Sequence, residues 1–368
     1  MKKFLFIAAS AAVILASCAK IESAKVTRND GQNVISFGNY VPRSLVKADA
    51  DSYAPSTSLI DGADFDVWGW YTANGTSFTG SNGTAFFSDW YTVTFQTGGG
   101  YDTDGSANLY PDGARYWPTG DTPDYLSFYA YYPSSNANIT APSGLGAFTF
   151  TAEAAAADQV DFMVADVVKD QVYGNTNSAH DGTVALTFKH QLTKVQVKFK
   201  TTAAIVADTN TDIVVNNASF EKINNTGTLT ASYNGTATST AWSNVSGTAS
   251  YAIAVPSGNL TATAANSGDD DDDIFLLVPQ TMLAKTETNA QYITVTWTVT
   301  TDGVATENTK KIYLDECVST DGGSTQANID WDKNNFITYI IPIAPNQILF
   351  NAQVTGWDTE EIGYYNIN

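Results

Sequence analysis

The sequence predicts an all-β protein built from two tandem β-sandwiches, and three observations carry that prediction. Charged residues make up only 15% of the 368-residue chain and aromatics 12%, with Thr, Asn, Ser and Gly crowding the remainder. That is the composition of an exported β protein rather than a cytoplasmic enzyme. Short runs of alternating apolar and polar residues recur along the chain between turn-forming Gly, Asn, Asp and Pro. The longest run, VALTFKHQLTKVQVKFK from Val184 to Lys200, changes parity: Leu186, Phe188, His190 and Leu192 share one face, Val195, Val197 and Phe199 the other. A strand that switches faces suits a chain leaving one sandwich for the next, which places the boundary at 192/193. Roughly 350 residues beyond an export signal also exceed what one core usually holds.

The elements follow in order. MKKFLFIAASAAVILASC opens with Lys2 and Lys3 and an apolar stretch too short to span a bilayer, so residues 1–17 read as a signal peptide. Its end, Leu15-Ala16-Ser17-Cys18, resembles the lipobox of bacterial lipoproteins, in which Cys18 is acylated and becomes the first residue. Residues 18–32 are polar and unpatterned and read as a tether. NVISFGNYVPR, 33–43, is a single strand with no hairpin partner beside it; Ile35, Phe37 and Val41 share its apolar face. Pro42 ends the pairing because it has no N–H to donate. Arg43 and Ser44 then begin a loop. Arg43 is one of only three arginines, with Arg28 and Arg115, so an arginine-specific protease meets few targets, and a cut there would detach the strand. An ordinary edge strand followed by a surface arginine is the competing reading.

The N-terminal sandwich is expected over 33–192. FDVWGWY at 65–71 and FFSDWYTVTF at 86–95 read as strands, and LSFYAYYP at 126–133 as the central one. In EAAAADQVDFMVADVV a short helix competes with a strand over 162–168. The C-terminal sandwich, 193–346, is expected to hold strands at 213–215, 218–223, 228–233, 251–255, 274–278, 292–300, 310–314 and 336–343. Asn234-Gly235 and Asp302-Gly303 supply hairpin turns. The segment 347–368 carries the last strand, 348–354, with Ile348, Phe350, Ala352 and Val354 on one greasy face before Trp357.

The chemistry of catalysis is not apparent. A formal charge of −20 opposes binding to nucleic acid. Cys18 and Cys317 are the only cysteines, so no disulfide framework is expected. HExxH, G-x-S-x-G, phosphate-loop and CxxC signatures are missing. His180 and His190 have no metal-ligand pattern around them. Asp269 to Asp273 lacks the alternating ligand spacing of a calcium loop and reads as a solvated run. No catalytic residue, metal or cofactor is therefore expected, and the chain reads as no enzyme. Its eight tryptophans and nineteen tyrosines read as core and cross-strand pairs, with a sugar-stacking platform as the alternative.

LASC, NVISFGNYVPR, FDVWGWYT, YLSFYAYYP, FMVADVV, LTFKHQLTKVQVKF and ILFNAQVTGW, in that order, resemble the fimbrillin-like family of Bacteroidales lipoproteins, the subunits of type V pili. The resemblance implies two transthyretin-like β-sandwiches and export as a lipidated precursor to the outer membrane and cell surface. It further implies cleavage by an arginine-specific protease, removal of the first strand, and filling of the groove by the C-terminal strand of another pilus subunit. Carried onto this chain, the cut falls between Arg43 and Ser44. Residues 33–41 become the removable strand, and Ile348, Phe350, Ala352 and Val354 the donor strand. A lipid-anchored tip or anchor protein that binds host or bacterial surface glycans without polymerising is the second reading, and a carboxylate-dependent hydrolase ranks below both.

Overall fold

The computed structural model describes residues 35–40, 63–94, 115–118, 124–173, 183–266, 274–321, 324–327, 330–345, 347–348 and 351–356. Within them the chain is nearly all β. The first half contributes β1 (Ser36–Tyr40), β2 (Asp64–Thr72), β3 (Thr84–Ala85), β4 (Tyr91–Thr94), β5 (Tyr125–Tyr132), β6 (Ile139–Thr140), β7 (Ala147–Thr151), β8 (Met163–Ala165), β9 (Val168–Gln171) and β10 (Thr183–His190). Eight of these form one sheet in the order β1-β10-β8-β5-β2-β3, with β4 on β2 and β9 on β5.

β5 runs through the middle of that sheet, and its sequence, YLSFYAYY, explains the position. Phe128 and Ala130 are buried on one face and Tyr129 and Tyr131 on the other. A strand covered on both sides needs no polar face, which is why its run is almost continuously apolar. Two expectations are corrected in this half. The run 86–95 is not one strand: residues 86–89 bend between β3 and β4, and the turn stacks Phe87 on Tyr91 with ring centroids 5.0 Å apart. The alanine-rich run before Phe162 forms a single 3-10 turn at Ala156–Asp158 rather than a helix, and β8 and β9 divide the strand expected over 162–168.

The second half contributes β11 (Thr193–Lys200), a one-turn helix α1 (Ala203–Val206), β12 (Thr211–Ile223), β13 (Thr226–Tyr233), β14 (Thr238–Ser246), β15 (Ala249–Ile253) and β16 (Ile274–Leu277). It continues through β17 (Tyr292–Thr301), β18 (Val304–Tyr313), β19 (Val318–Asp321), β20 (Ser324–Ala327), β21 (Asn335–Ala344), β22 (Gln347–Ile348) and β23 (Asn351–Gly356). One sheet runs β16-β11-β21-β22, with β23 also on β21; another runs β15-β12-β17-β18. They face each other through Phe220 of β12, whose ring meets Phe275 of β16 edge-on at 5.5 Å and Tyr339 of β21 at 6.2 Å. The segments 213–215 and 218–223 prove to be one strand, β12, carried across a bulge between Val215 and Asn217. Asp302 and Gly303 both adopt positive φ, 51° and 77°, and close the β17–β18 hairpin as a tight turn requires.

Gln191 and Leu192 are where the chain changes sheets. Val184, Leu186 and Phe188 pack into one core, whereas Leu192, Val195, Val197 and Phe199 pack into the other. The path then returns. β13 pairs with β7 in a four-stranded antiparallel sheet, β14-β13-β7-β6, which covers the Tyr129–Tyr131 face of the first sheet through Phe148, 5.4 Å from the Tyr131 ring. Strands from beyond residue 192 thus close the sandwich begun by the first half.

Candidate functional site

β1 comes first in the strand order of the eight-stranded sheet, parallel to β10, in the register Ser36↔Thr183 to Tyr40↔Thr187. Its pairing partner is about 150 residues away in sequence. The alternation of Ile35 and Phe37 dictates the outcome: both side chains are 1% exposed and sit in the core with Val184, Leu186 and Phe188. Phe37 meets Phe128 of β5 edge-to-face with centroids 5.2 Å apart and planes at 84°, a favoured aromatic geometry. Trp117 approaches the same Phe128 ring at 6.2 Å, also edge-on. The Ile35 N–H donates to the Arg115 carbonyl at 2.8 Å, while the Arg115 guanidinium lies 4.9 Å above the Tyr91 ring. Burying one isoleucine and one phenylalanine is worth about 1.5–3 kcal/mol each, so β1 contributes roughly 3–6 kcal/mol through two side chains.

The last strand also has a place. β22 and β23 both lie antiparallel on β21, β22 through Ile343↔Ile348 and β23 through Tyr339↔Ala352, Ile337↔Val354 and Asn335↔Gly356. β21 is itself paired parallel to β11 on its other side. The C-terminal strand is therefore paired within its own subunit's sheet, a pairing that the sequence reading missed; the turn-forming pair Pro345-Asn346 in the sequence was the available signal.

Ile35 and Phe37 are thus brought together with the β10 edge, and Ile348, Ala352 and Val354 with β21. Cys18, Val41, Arg43, Ser44, Phe350, His180 and the run Asp269 to Asp273 lie outside the described residues. His190 is buried with its Nδ1 2.5 Å from Asp161 Oδ2. Burial pushes the Cys317 thiol well above its ordinary pKa, which keeps it protonated and unreactive. Among the described residues no group of three or more His, Cys, Asp or Glu is arranged to hold a metal ion.

This geometry can be set beside known proteins. The chain is similar in fold to a fimbrial protein from Bacteroides vulgatus, with 16% identity and a TM-score of 0.53 over 88% of this chain and 100% of that one. It also aligns with a fimbrial assembly protein from Parabacteroides distasonis at 9% identity and a TM-score of 0.37, covering 90% and 99%. No curated protein matches it. The fimbrillin-like family model matches residues 54–357. The match takes in every sheet and all but the first strand, and the chain belongs to the fimbrillin-like family.

Proposed function

We propose that this protein is a structural pilus subunit, exported as a lipidated precursor and polymerised by strand exchange. Membership of the fimbrillin-like family supports the broader statement, a pilus-type or adhesive role at the cell surface. The observation that carries the finer reading is β1. It pairs parallel to β10, which is distant from it in sequence, and is anchored by Ile35 and Phe37.

In this reading Cys18 carries the lipid that holds the precursor at the outer membrane. An arginine-specific protease cuts between Arg43 and Ser44, in the connection between β1 and β2, and β1 is then held by non-covalent contacts alone. Its departure unpairs the outer edge of β10 and uncovers Phe128, Val184 and their neighbours. An exposed, flat strand edge with an apolar floor is a template for another strand. The segment 348–354 of another subunit occupies it, with Ile348, Phe350, Ala352 and Val354 inserted. That segment must first leave β21 of its own sheet, so exchange trades one set of strand hydrogen bonds for another, and the apolar groove supplies the net gain.

The test is the N-terminal residue of the surface protein, measured separately for monomers and for detergent-resistant multimers. Multimers beginning at Ser44 and membrane-bound monomers beginning at Cys18 are expected. Multimers that begin at Cys18 would overturn the reading.

A further inference from the structure

A cleft of about 370 Å³ lies where β14 meets the segment that enters β21, away from β1. Strand exchange makes no use of it. Trp242 forms one wall. Its indole N–H donates to the Gln191 carbonyl at 2.7 Å, and its six-membered ring lies against Gly227, where an added Cβ would come within 2.9 Å. Phe150 and Phe162 meet the same indole edge-on at 6.2 and 6.3 Å. The ring is therefore fixed, and it is only half-buried. Val245 and Pro279 extend this apolar wall.

The lining also includes the polar residues Asn224, Gln280, Thr281, Asp330 and Asp332. The Trp331 and Gln280 backbones exchange hydrogen bonds at 2.9 Å, tying the segment 330–332 to 279–280. Gln280 Oε1 receives the Asn224 N–H at 3.1 Å, and its Nε2 donates to the Asn224 carbonyl at 3.2 Å. Asp330 Oδ1 accepts from the Met282 N–H at 3.2 Å, and the Asp332 carbonyl accepts from the Thr193 hydroxyl at 2.8 Å. These bonds fix the backbones of Asn224 and Asp332 and one carboxylate oxygen of Asp330, three residues that line the cleft.

We infer that this cleft binds a neutral saccharide unit. Ionised carboxylates only accept hydrogen bonds, so the ligand must be rich in donors. The cleft's lining contains no Lys or Arg, and the chain carries a net charge of −20, which opposes an acidic ligand. A rigid indole beside aliphatic surface matches the C–H face of a sugar ring, and the volume lies within the usual range for small-ligand sites. The inference concerns a different face from β1 and holds whether or not the chain polymerises.

The experiment is saturation-transfer NMR on the full chain with lactose and chitobiose as neutral probes, sialyllactose as the acidic probe and tetralysine as the cationic one. Transfer to the neutral sugars is expected, with little to sialyllactose. Asp332→Lys and Asn224→Ala should each weaken the neutral sugar about tenfold or more without moving the melting temperature, because Asp332 is exposed and Asn224 is bonded through its backbone. No transfer to either neutral sugar, transfer unchanged in both variants, or saturable binding of tetralysine alone would overturn the inference.

Discussion

Phe37 is the residue on which β1 depends. With Ile35 it supplies the buried apolar surface of the strand, and its ring is fitted edge-on to Phe128. Phe37→Ala should cost about 3–5 kcal/mol, the usual range for emptying a buried phenylalanine site. Denaturant unfolding of the uncut chain reads that loss directly, and a loss under 1 kcal/mol would mean that the ring is not held as described. A second set of residues predicts the alkaline limit of the fold. Burial raises the phenols of Tyr129, Tyr131, Tyr251 and Tyr339, and holds Tyr132 at about 12. In Tyr131 the hydrogen bond to Asp66 Oδ2, 2.7 Å long, adds to burial. An unfolded tyrosine titrates near 10. The contribution of these phenols is therefore complete below about pH 10 and is lost as pH rises through their folded values. The melting temperature should fall steeply above pH 10, with part of the tyrosinate absorbance appearing only as the chain unfolds. Complete ionisation of the tyrosines in folded protein near pH 10 would contradict the burial described.

At the scale of elements, legibility followed the core. β2, β5, β10, β11 and β17 were readable because each places at least one regular apolar face against a core. β14 was not, because TSTAWSNVS is an edge strand whose residues are half-buried or exposed, leaving no apolar alternation to detect. β18 was recognised only near its end: before Ile312 its residues are mostly exposed, and hydrogen bonds to β17, rather than packing, keep it extended. The candidate site was legible in its alternation, Ile35 with Phe37, but not in its pairing, since a parallel partner about 150 residues away leaves no local trace. Protein cleaved after Arg43 and separated from β1 should be less stable than the uncut chain by roughly 3–6 kcal/mol, from two buried side chains at about 1.5–3 kcal/mol each. Calorimetry of cut and uncut protein checks it, and equal melting temperatures would contradict it. Phe350→Asp should prevent donation, because a carboxylate in an apolar groove costs several kcal/mol. Mixed with cleaved wild type, the variant should cap chain ends, and self-polymerisation at the wild-type rate would place the donor elsewhere.

For the whole molecule, the two halves are interlocked. β13 and β14 complete the sheet begun by β6 and β7, and Gln191, at the crossing, accepts from both Thr240 and Trp242 of β14. Lys333 ties the entry to β21 to the same strand through the Thr240 carbonyl at 2.7 Å. No separate cue in the sequence announced this, because the apolar pattern specifies which face is buried and not which strand buries it. The elements proposed to exchange are β1, paired with β10, and β23, paired with β21. In the proposed exchange, β1 and the donor strand compete for one edge of β10. The most direct measurement adds a synthetic peptide of residues 33–43 to cleaved subunits and follows polymer growth by light scattering. Growth should fall as peptide occupancy rises, and a scrambled peptide should have no effect. Unchanged growth with the 33–43 peptide saturating the cleaved subunits would contradict the account.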